Sequence, residues 1–119
     1  MEKKINQMQL EYIERLQQRL DKLAKRFNEQ GYVAAGYGGD TYYCFVGKGH
    51  GFNGAALLPM SSNPKIFDTY QDAKCEAYYG IYKNGRNDII ELEVIKAGAY
   101  FRIIHTIIER SLQTLKEML

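Results

Sequence analysis

A lysine and a histidine stand in a glycine-rich segment near the middle of the chain, Gly47-Lys48-Gly49-His50-Gly51. Backbone amides left open between glycines, together with two side chains that can carry positive charge, could hold a phosphate or another anion. The spacing is not that of a P-loop, and no serine or threonine follows Lys48 to anchor a metal ion. A hairpin loop without a ligand explains the same glycines equally simply.

Acid–base chemistry is the second candidate, because the two histidines, His50 and His105, could act with Lys48 in a ribonuclease-like cleavage. Both rings would have to reach one substrate, whereas His105 lies on a predicted helix. A half-buried helical histidine is the simpler interpretation. We recognise no nucleophile elbow, metal-ligand cluster or pair of catalytic carboxylates, so we predict a non-enzymatic protein that uses no cofactor or metal.

Tyrosine is enriched, with ten tyrosines in a chain that has no tryptophan. Alternate strand positions point inward, so about half of these rings should pack inside the protein. The others would offer anchors for a protein partner or stacking faces for a nucleotide. The candidate partner- or ligand-binding residues are therefore Tyr37, Tyr42, Tyr43, Lys48 and His50, together with Asn84 and Arg86 at a predicted turn. For the last two, an ordinary solvated turn is the alternative.

The first element that must position these residues is a helix predicted over residues 4–29. Its apolar residues form a heptad seam: Ile13, Leu16, Leu20, Leu23 and Phe27. The strict repeat covers about two heptads, which favours a helix packed on its own sheet over a homodimer formed through this N-terminal helix. Gly31 is predicted to stop the helix.

Three strands are predicted next, over residues 32–37, 41–46 and 54–58. The middle one is rich in strand formers, and glycines at both of its ends indicate a tight hairpin turn and a longer loop. An antiparallel meander follows from this order. Residues 59–64, which begin and end with proline, are predicted to form a loop.

The second half is predicted to hold a helix, a strand and a last helix. Thr69 and Asp72 match a variant of the capping box, with Phe67 near the start of a helix over residues 70–82. A strand over residues 78–82, turning at Asn84-Gly85, is the alternative. Residues 89–95 alternate between apolar and polar side chains, which predicts a strand with one buried and one solvent-exposed face. Gly98 is predicted to end this strand. The last helix, over residues 99–118, carries one apolar face: Ile104, Ile107, Ile108, Leu112 and Leu115.

Composition limits the class of protein. The chain has 119 residues, 25% of them charged and 45% hydrophobic, which is typical of one globular domain over residues 1–119. Its net charge of +2 favours neither a nucleic-acid binder nor an acidic mimic of DNA. The N-terminal residues have no uncharged run that suits a signal peptide, so we expect a cytoplasmic protein with no membrane contact and with both cysteines reduced and buried.

Two stretches resemble segments of small accessory proteins from phages and prophages: residues 67–73 (FDTYQDA) and residues 90–97 (IELEVIKA). The resemblance implies a compact non-enzymatic factor. Many such factors, anti-CRISPR proteins among them, oppose host defences by occluding a nuclease or by sequestering a nucleotide signal. The slightly positive charge of this chain departs from the acidic DNA-mimic type, so an inhibitor of this kind would act through a shaped surface.

The sequence thus predicts an α+β protein of order α-β-β-β-α-β-α, with an antiparallel sheet of about four strands flanked by long N- and C-terminal helices. The leading hypothesis is a phage-type inhibitor that occludes a host defence (CRISPR) nuclease with the edge between Gly38 and Gly54. The alternative is a sponge that holds a nucleotide signal through Lys48, His50, Arg86 and stacked tyrosines. Nucleic-acid binding is the third hypothesis. Basic residues are enriched in the first helix, but Glu11, Glu14 and Asp21 are interleaved with them, which is typical of a solvated helix face.

Overall fold

Three helices and four strands follow one another in the computed structural model, which describes residues 7–48, 55–84 and 92–119. The elements are α1 (Gln7–Ala24), β1 (Tyr32–Gly38), β2 (Thr41–Lys48), β3 (Ala55–Pro59), α2 (Tyr70–Asn84), β4 (Glu93–Lys96) and α3 (Ala97–Glu117). This confirms the α+β class and the order α-β-β-β-α-β-α. Among the described residues, no helix is long and apolar enough to cross a membrane.

The sheet is antiparallel throughout, with strand order β3-β2-β1-β4. A tight turn joins β1 to β2, where Gly39 adopts a positive φ of 64° that a residue with a side chain rarely takes. The register places Tyr37 opposite Tyr42 and Ala35 opposite Cys44. β4 pairs with the other side of β1, so the strand that arrives last in the chain lies beside the first one.

Helices cover both faces of this sheet, because side chains alternate along each strand. On one face, Val33, Ala35, Tyr42 and Cys44 pack in a cluster with residues of α1 and α3. On the other face, the packed cluster includes residues of β1, β2, β3 and α2: Ala34, Phe45, Leu57, Ala73 and Ala77. The two neighbouring residues Val94 and Ile95 of β4 therefore pack on opposite faces. The face of this strand that was predicted to be solvent-exposed is only partly so, since Glu93 is exposed and Ile95 is half-buried.

The heptad seam of α1 packs chiefly against α3, and α3 covers the sheet. The two helices run antiparallel. Phe27, just beyond the end of α1, lies against Gly98 in the first turn of α3, and Tyr12 lines a groove with Leu115 near the end of α3. The helix ends at Ala24, so the prediction that it extends to Glu29 is wrong. The chain turns instead through i→i−3 bonds, in which the Arg26 amide donates to the Leu23 carbonyl oxygen at 2.9 Å.

Two glycines have roles that differ from the predicted ones. Gly31 does not cap α1: it adopts a φ of 99° at the entry to β1, and a Cβ there would lie 2.6 Å from Ile66 Cγ2 and 2.8 Å from the Phe67 carbonyl oxygen. Gly98 does not break a strand, since it lies in the first turn of α3. Both positions need glycine because another backbone segment passes within contact distance.

The helix over α2 is confirmed, and the alternative strand over residues 78–82 is wrong. Thr69 Oγ1 accepts the Asp72 amide at 3.1 Å, as the capping pattern predicts. Phe67 is buried beside Ala73 and Ala77. The strand predicted over residues 89–95 is found as β4, Glu93–Lys96, and residues 85–91 lie outside the described part of the chain.

Candidate functional site

An exposed tyrosine at the β1–β2 hairpin is held by a stack of buried rings. Tyr37 is 56% exposed, and its ring centroid lies 4.7 Å from that of its cross-strand partner Tyr42. Tyr42 is 6% exposed and stacks in turn on Tyr100 of α3, with centroids 6.1 Å apart and planes 22° from parallel. Tyr42 and Tyr100 therefore support Tyr37 from beneath, and only Tyr37 of the three presents a face to solvent.

The inner end of this stack is fixed by a hydrogen bond. The Tyr100 hydroxyl donates to the Ser61 carbonyl oxygen at 2.6 Å, and Cys44 lies beside it in the same buried cluster. Burial raises the pKa of Tyr42 to about 12, and burial likewise raises the pKa of Tyr100 and of the Cys44 thiol. All three groups therefore remain neutral at ordinary pH, which suits a structural support and does not suit a nucleophile or a general base.

The loop after β3 is tied by two arginines to α1 and to the turn that follows it. Arg19 Nε donates to Ser62 Oγ at 2.9 Å, and its Nη2 donates to the Met60 carbonyl oxygen. Arg26 Nη1 donates to the Ser62 carbonyl oxygen at 3.0 Å. Met60 itself adopts a positive φ of 42°. These bonds hold the loop beside α1, close to the buried end of the tyrosine stack.

The structure brings together only part of the predicted site. Tyr37 and Tyr42 touch, whereas Tyr43 is half-buried on the opposite face of the sheet, next to the cluster that α2 covers. Lys48 is the last residue of β2 and Asn84 is the last residue of α2, but their side chains lie outside what the structure describes. His50 and Arg86 also lie outside the described residues.

The structure also shows the surroundings of His105 and Cys75, for which the sequence made separate predictions. His105 is half-buried and packs edge-on against Phe27, with ring centroids 5.1 Å apart. That is the ordinary helical position expected for it. Cys44 is buried as predicted, whereas Cys75 is exposed on α2, so the prediction that both cysteines are buried is wrong for Cys75. No group of three or more potential metal ligands occurs among the described residues.

A groove of about 690 Å³ that the sequence did not indicate lies where the turn after α1 meets the start of α3. Its wall includes side chains of both charges, among them Glu29, Asp68, Lys96 and Arg102. Arg102 also lies over the Phe27 ring, 4.6 Å from its centroid, and a hydrogen bond from Arg26 lowers the pKa of Glu29. Because the charges are mixed, the groove does not select an anion or a cation.

No protein-family model, curated protein or solved structure matches the chain. The function is therefore inferred from the residues of this chain. Among the predicted site residues that the structure describes, Tyr37 and Tyr42 are in ring contact, and Tyr42 rests on Tyr100. The exposed Tyr37 ring on these buried rings is therefore the candidate site.

Proposed function

We propose that this chain is a non-enzymatic binding protein whose contact surface is centred on Tyr37, and that it acts as a phage-type inhibitor occluding a host defence nuclease. One observation carries the proposal: the Tyr37 ring is 56% exposed and yet is held in place by Tyr42 at 4.7 Å. A ring that is already ordered loses little further freedom when a partner covers it.

The surroundings of Tyr37 suit a protein contact. Gly38 and Gly39 follow it in the hairpin turn, where the absence of side chains allows a partner to approach the backbone. On the same face of the sheet, the edge strand β3 exposes Leu58, which pairs with Cys44 of β2. Aromatic and apolar side chains such as Tyr37 and Leu58 are typical of the centre of a protein interface.

The nuclease partner follows from the resemblance of residues 67–73 and 90–97 to phage accessory proteins. A net charge of +2 is not that of a DNA mimic, so the inhibition would come from a shaped surface that covers a functional part of the enzyme. This mode requires no catalytic residue in the inhibitor.

Cleavage assays with a panel of purified RNA-guided nucleases test the proposal. We expect the protein to slow cleavage of target DNA by one of them at near-stoichiometric amounts. Tyr37→Ala should weaken binding to that nuclease by roughly 30-fold, the usual effect of removing a tyrosine hot spot. Tyr70→Ala is the matched control, because Tyr70 is also half exposed, at 49%, but lies at the start of α2.

Two results would contradict the proposal: no nuclease of the panel is inhibited, or Tyr37→Ala inhibits as well as the wild type. Thermal shift with cyclic nucleotides and ADP-ribose derivatives addresses the nucleotide sponge separately. A stabilising ligand in that panel, together with intact nuclease activity, would favour the sponge.

A further inference from the structure

One stripe of side chains on α1 is covered along half of its length only by the part of the chain that the structure describes. Residues three and four apart lie on the same side of a helix, which places Glu11, Tyr12, Arg15 and Arg19 on one stripe. At the end nearer the sheet, Arg19 binds the loop after β3 through Ser62 and Met60. At the other end, Glu11, Tyr12 and Arg15 are all exposed.

The uncovered end is apolar in its centre. Tyr12 is 53% exposed, and Met118, at the end of α3, is 69% exposed. Tyr12 and Leu115 together line two shallow grooves, of about 420 Å³ and about 460 Å³, one on each side of them. They thus form a ridge between two grooves, a shape that helices use when they pack against each other.

The charged side chains beside this ridge are complementary to the same side chains of a second copy of the chain. Glu11 and Arg15 line the same groove, one helical turn apart. In the described part of the chain neither has an ion-pair partner, since the ion pairs there are Arg26 with Glu29 and Lys65 with Glu76. If two copies of α1 pack in antiparallel fashion through their Glu11–Arg15 faces, with the two-fold axis at the height of Ile13 along the helix, Glu11 of each copy lies opposite Arg15 of the other, which gives two identical charge pairs.

We propose that this end of the α1–α3 pair, the Tyr12 ridge, binds a second copy of the same chain in a two-fold symmetric dimer. In this dimer the Tyr12 ridge of each copy lies in a groove of the other, and the two Glu11–Arg15 pairs flank it. A net charge of +2 per chain adds little repulsion between copies. Neither groove beside the Tyr12 ridge is lined by Tyr37, so the dimer is argued from other residues than the proposed function.

Sedimentation equilibrium of the purified full chain is the first test. We expect a mass of twice 13.7 kDa for the wild type at about 100 µM, a concentration at which a micromolar dimer is nearly complete. Tyr12→Lys should give a monomer, because two like charges would meet in the apolar centre. Tyr70→Lys, at a comparably exposed tyrosine outside the ridge, should remain a dimer.

Charge reversal tests the orientation of the two copies. Glu11→Arg and Arg15→Glu, each alone, should raise the dimer dissociation constant by about tenfold or more, because both symmetric pairs become repulsive. The double variant should regain the wild-type constant, and an equimolar mixture of the two single variants should form a mixed dimer. Thermal unfolding of each variant shows whether the fold persists.

A monomeric wild type at about 100 µM would overturn the proposal, including a monomer that uses this end to bind a vesicle or another protein. A dimer that survives Tyr12→Lys, or one in which the double variant and the mixture fail to restore association, would also overturn it.

Discussion

Gly98, in the first turn of α3, lies directly against the carbonyl oxygen of Phe27, in the turn that follows α1. A Cβ at position 98 would overlap this oxygen and would also lie 3.0 Å from the Phe27 carbonyl carbon. Since both groups belong to backbone, neither can move aside by changing a rotamer. The absence of a side chain at Gly98 thus sets how closely the turn after α1 approaches the start of α3.

Gly98→Ala is therefore expected to destabilise the protein, although alanine usually favours a helix over glycine by about 1 kcal/mol. Overpacking usually costs roughly 1–3 kcal/mol, and the upper part of this range is expected here because the obstructing atoms are backbone, so the cost should outweigh that gain. Urea unfolding followed by circular dichroism measures the difference. Gly39→Ala is the comparison, because a Cβ there meets nothing within 4 Å and only the positive φ opposes it. A Gly98→Ala variant as stable as the wild type would show that the turn is not held this close.

Arg19 should stabilise the fold through the loop after β3. Arg19→Met keeps most of the apolar stem but removes the bonds to Ser62 Oγ and the Met60 carbonyl oxygen. We expect a loss of about 1–3 kcal/mol in the free energy of unfolding, since these are charge-assisted bonds to half-buried groups. Lys22→Met, one turn along the same helix at an exposed position, should change stability by less than about 0.5 kcal/mol. Equal effects of the two substitutions in urea unfolding would contradict this role.

Stability should fall in alkaline solution because of the buried tyrosines. Burial raises the pKa of Tyr42 to about 12 and also raises that of Tyr100, whereas both ionise near 10.0 in an unfolded chain. Above pH 10 the unfolded chain loses protons that the folded chain keeps, so the free energy of unfolding decreases by ~1.4 kcal/mol per pH unit for each group. The contribution of Tyr42 is complete below pH 10 and is lost by about pH 12.

Chemical unfolding between pH 9 and pH 11.5 measures that slope, and substitutions identify its source. Tyr42→Phe and Tyr100→Phe should each make the slope shallower. Phe101→Leu alters a buried ring that has no hydroxyl, so it should lower stability at every pH and leave the slope unchanged. A slope that persists in both tyrosine variants would assign the pH dependence to other groups.

The two thiols should differ strongly in reactivity. Cys44 is fully buried and burial raises its pKa, whereas Cys75 is exposed on α2. With a thiol reagent at neutral pH, one equivalent should react quickly and the second at least about a hundredfold more slowly, because Cys44 reacts only after the structure opens. Cys75→Ser should abolish the fast phase alone, and urea should equalise the two rates. A fast phase that remains in Cys75→Ser would mean that Cys44 is accessible.

Much of the fold is local enough to be predicted. The heptad seam of α1, the glycine-bounded strands β1 and β2 and the cap at Thr69 all depend on spacing within a few residues, and the structure confirms them. Their ends are harder to predict. A turn at residues 25–28 stands where the helix was expected to continue, and Phe27 in this turn packs against His105, a contact between residues distant in sequence.

The candidate site was likewise predictable from the sequence only in part. The tyrosine enrichment placed Tyr37 and Tyr42 among the candidate binding residues, with Tyr43, but the sequence does not tell which of these rings is exposed. That depends on Tyr100, because its ring covers Tyr42 from α3 and leaves Tyr37 at the surface. The Arg19 bonds to the loop after β3 join residues about forty positions apart and have no local signal.

The sequence by itself determined the α+β class, the order of the elements and the residues that could pack, because periodicity and turn chemistry are properties of neighbouring residues. The tertiary structure decided which helices cover which face of the sheet, why Gly31 and Gly98 must be glycine, and which tyrosine meets solvent. These features arise where segments distant in the chain come within contact distance, and the steric fit at those points is not encoded in any one segment.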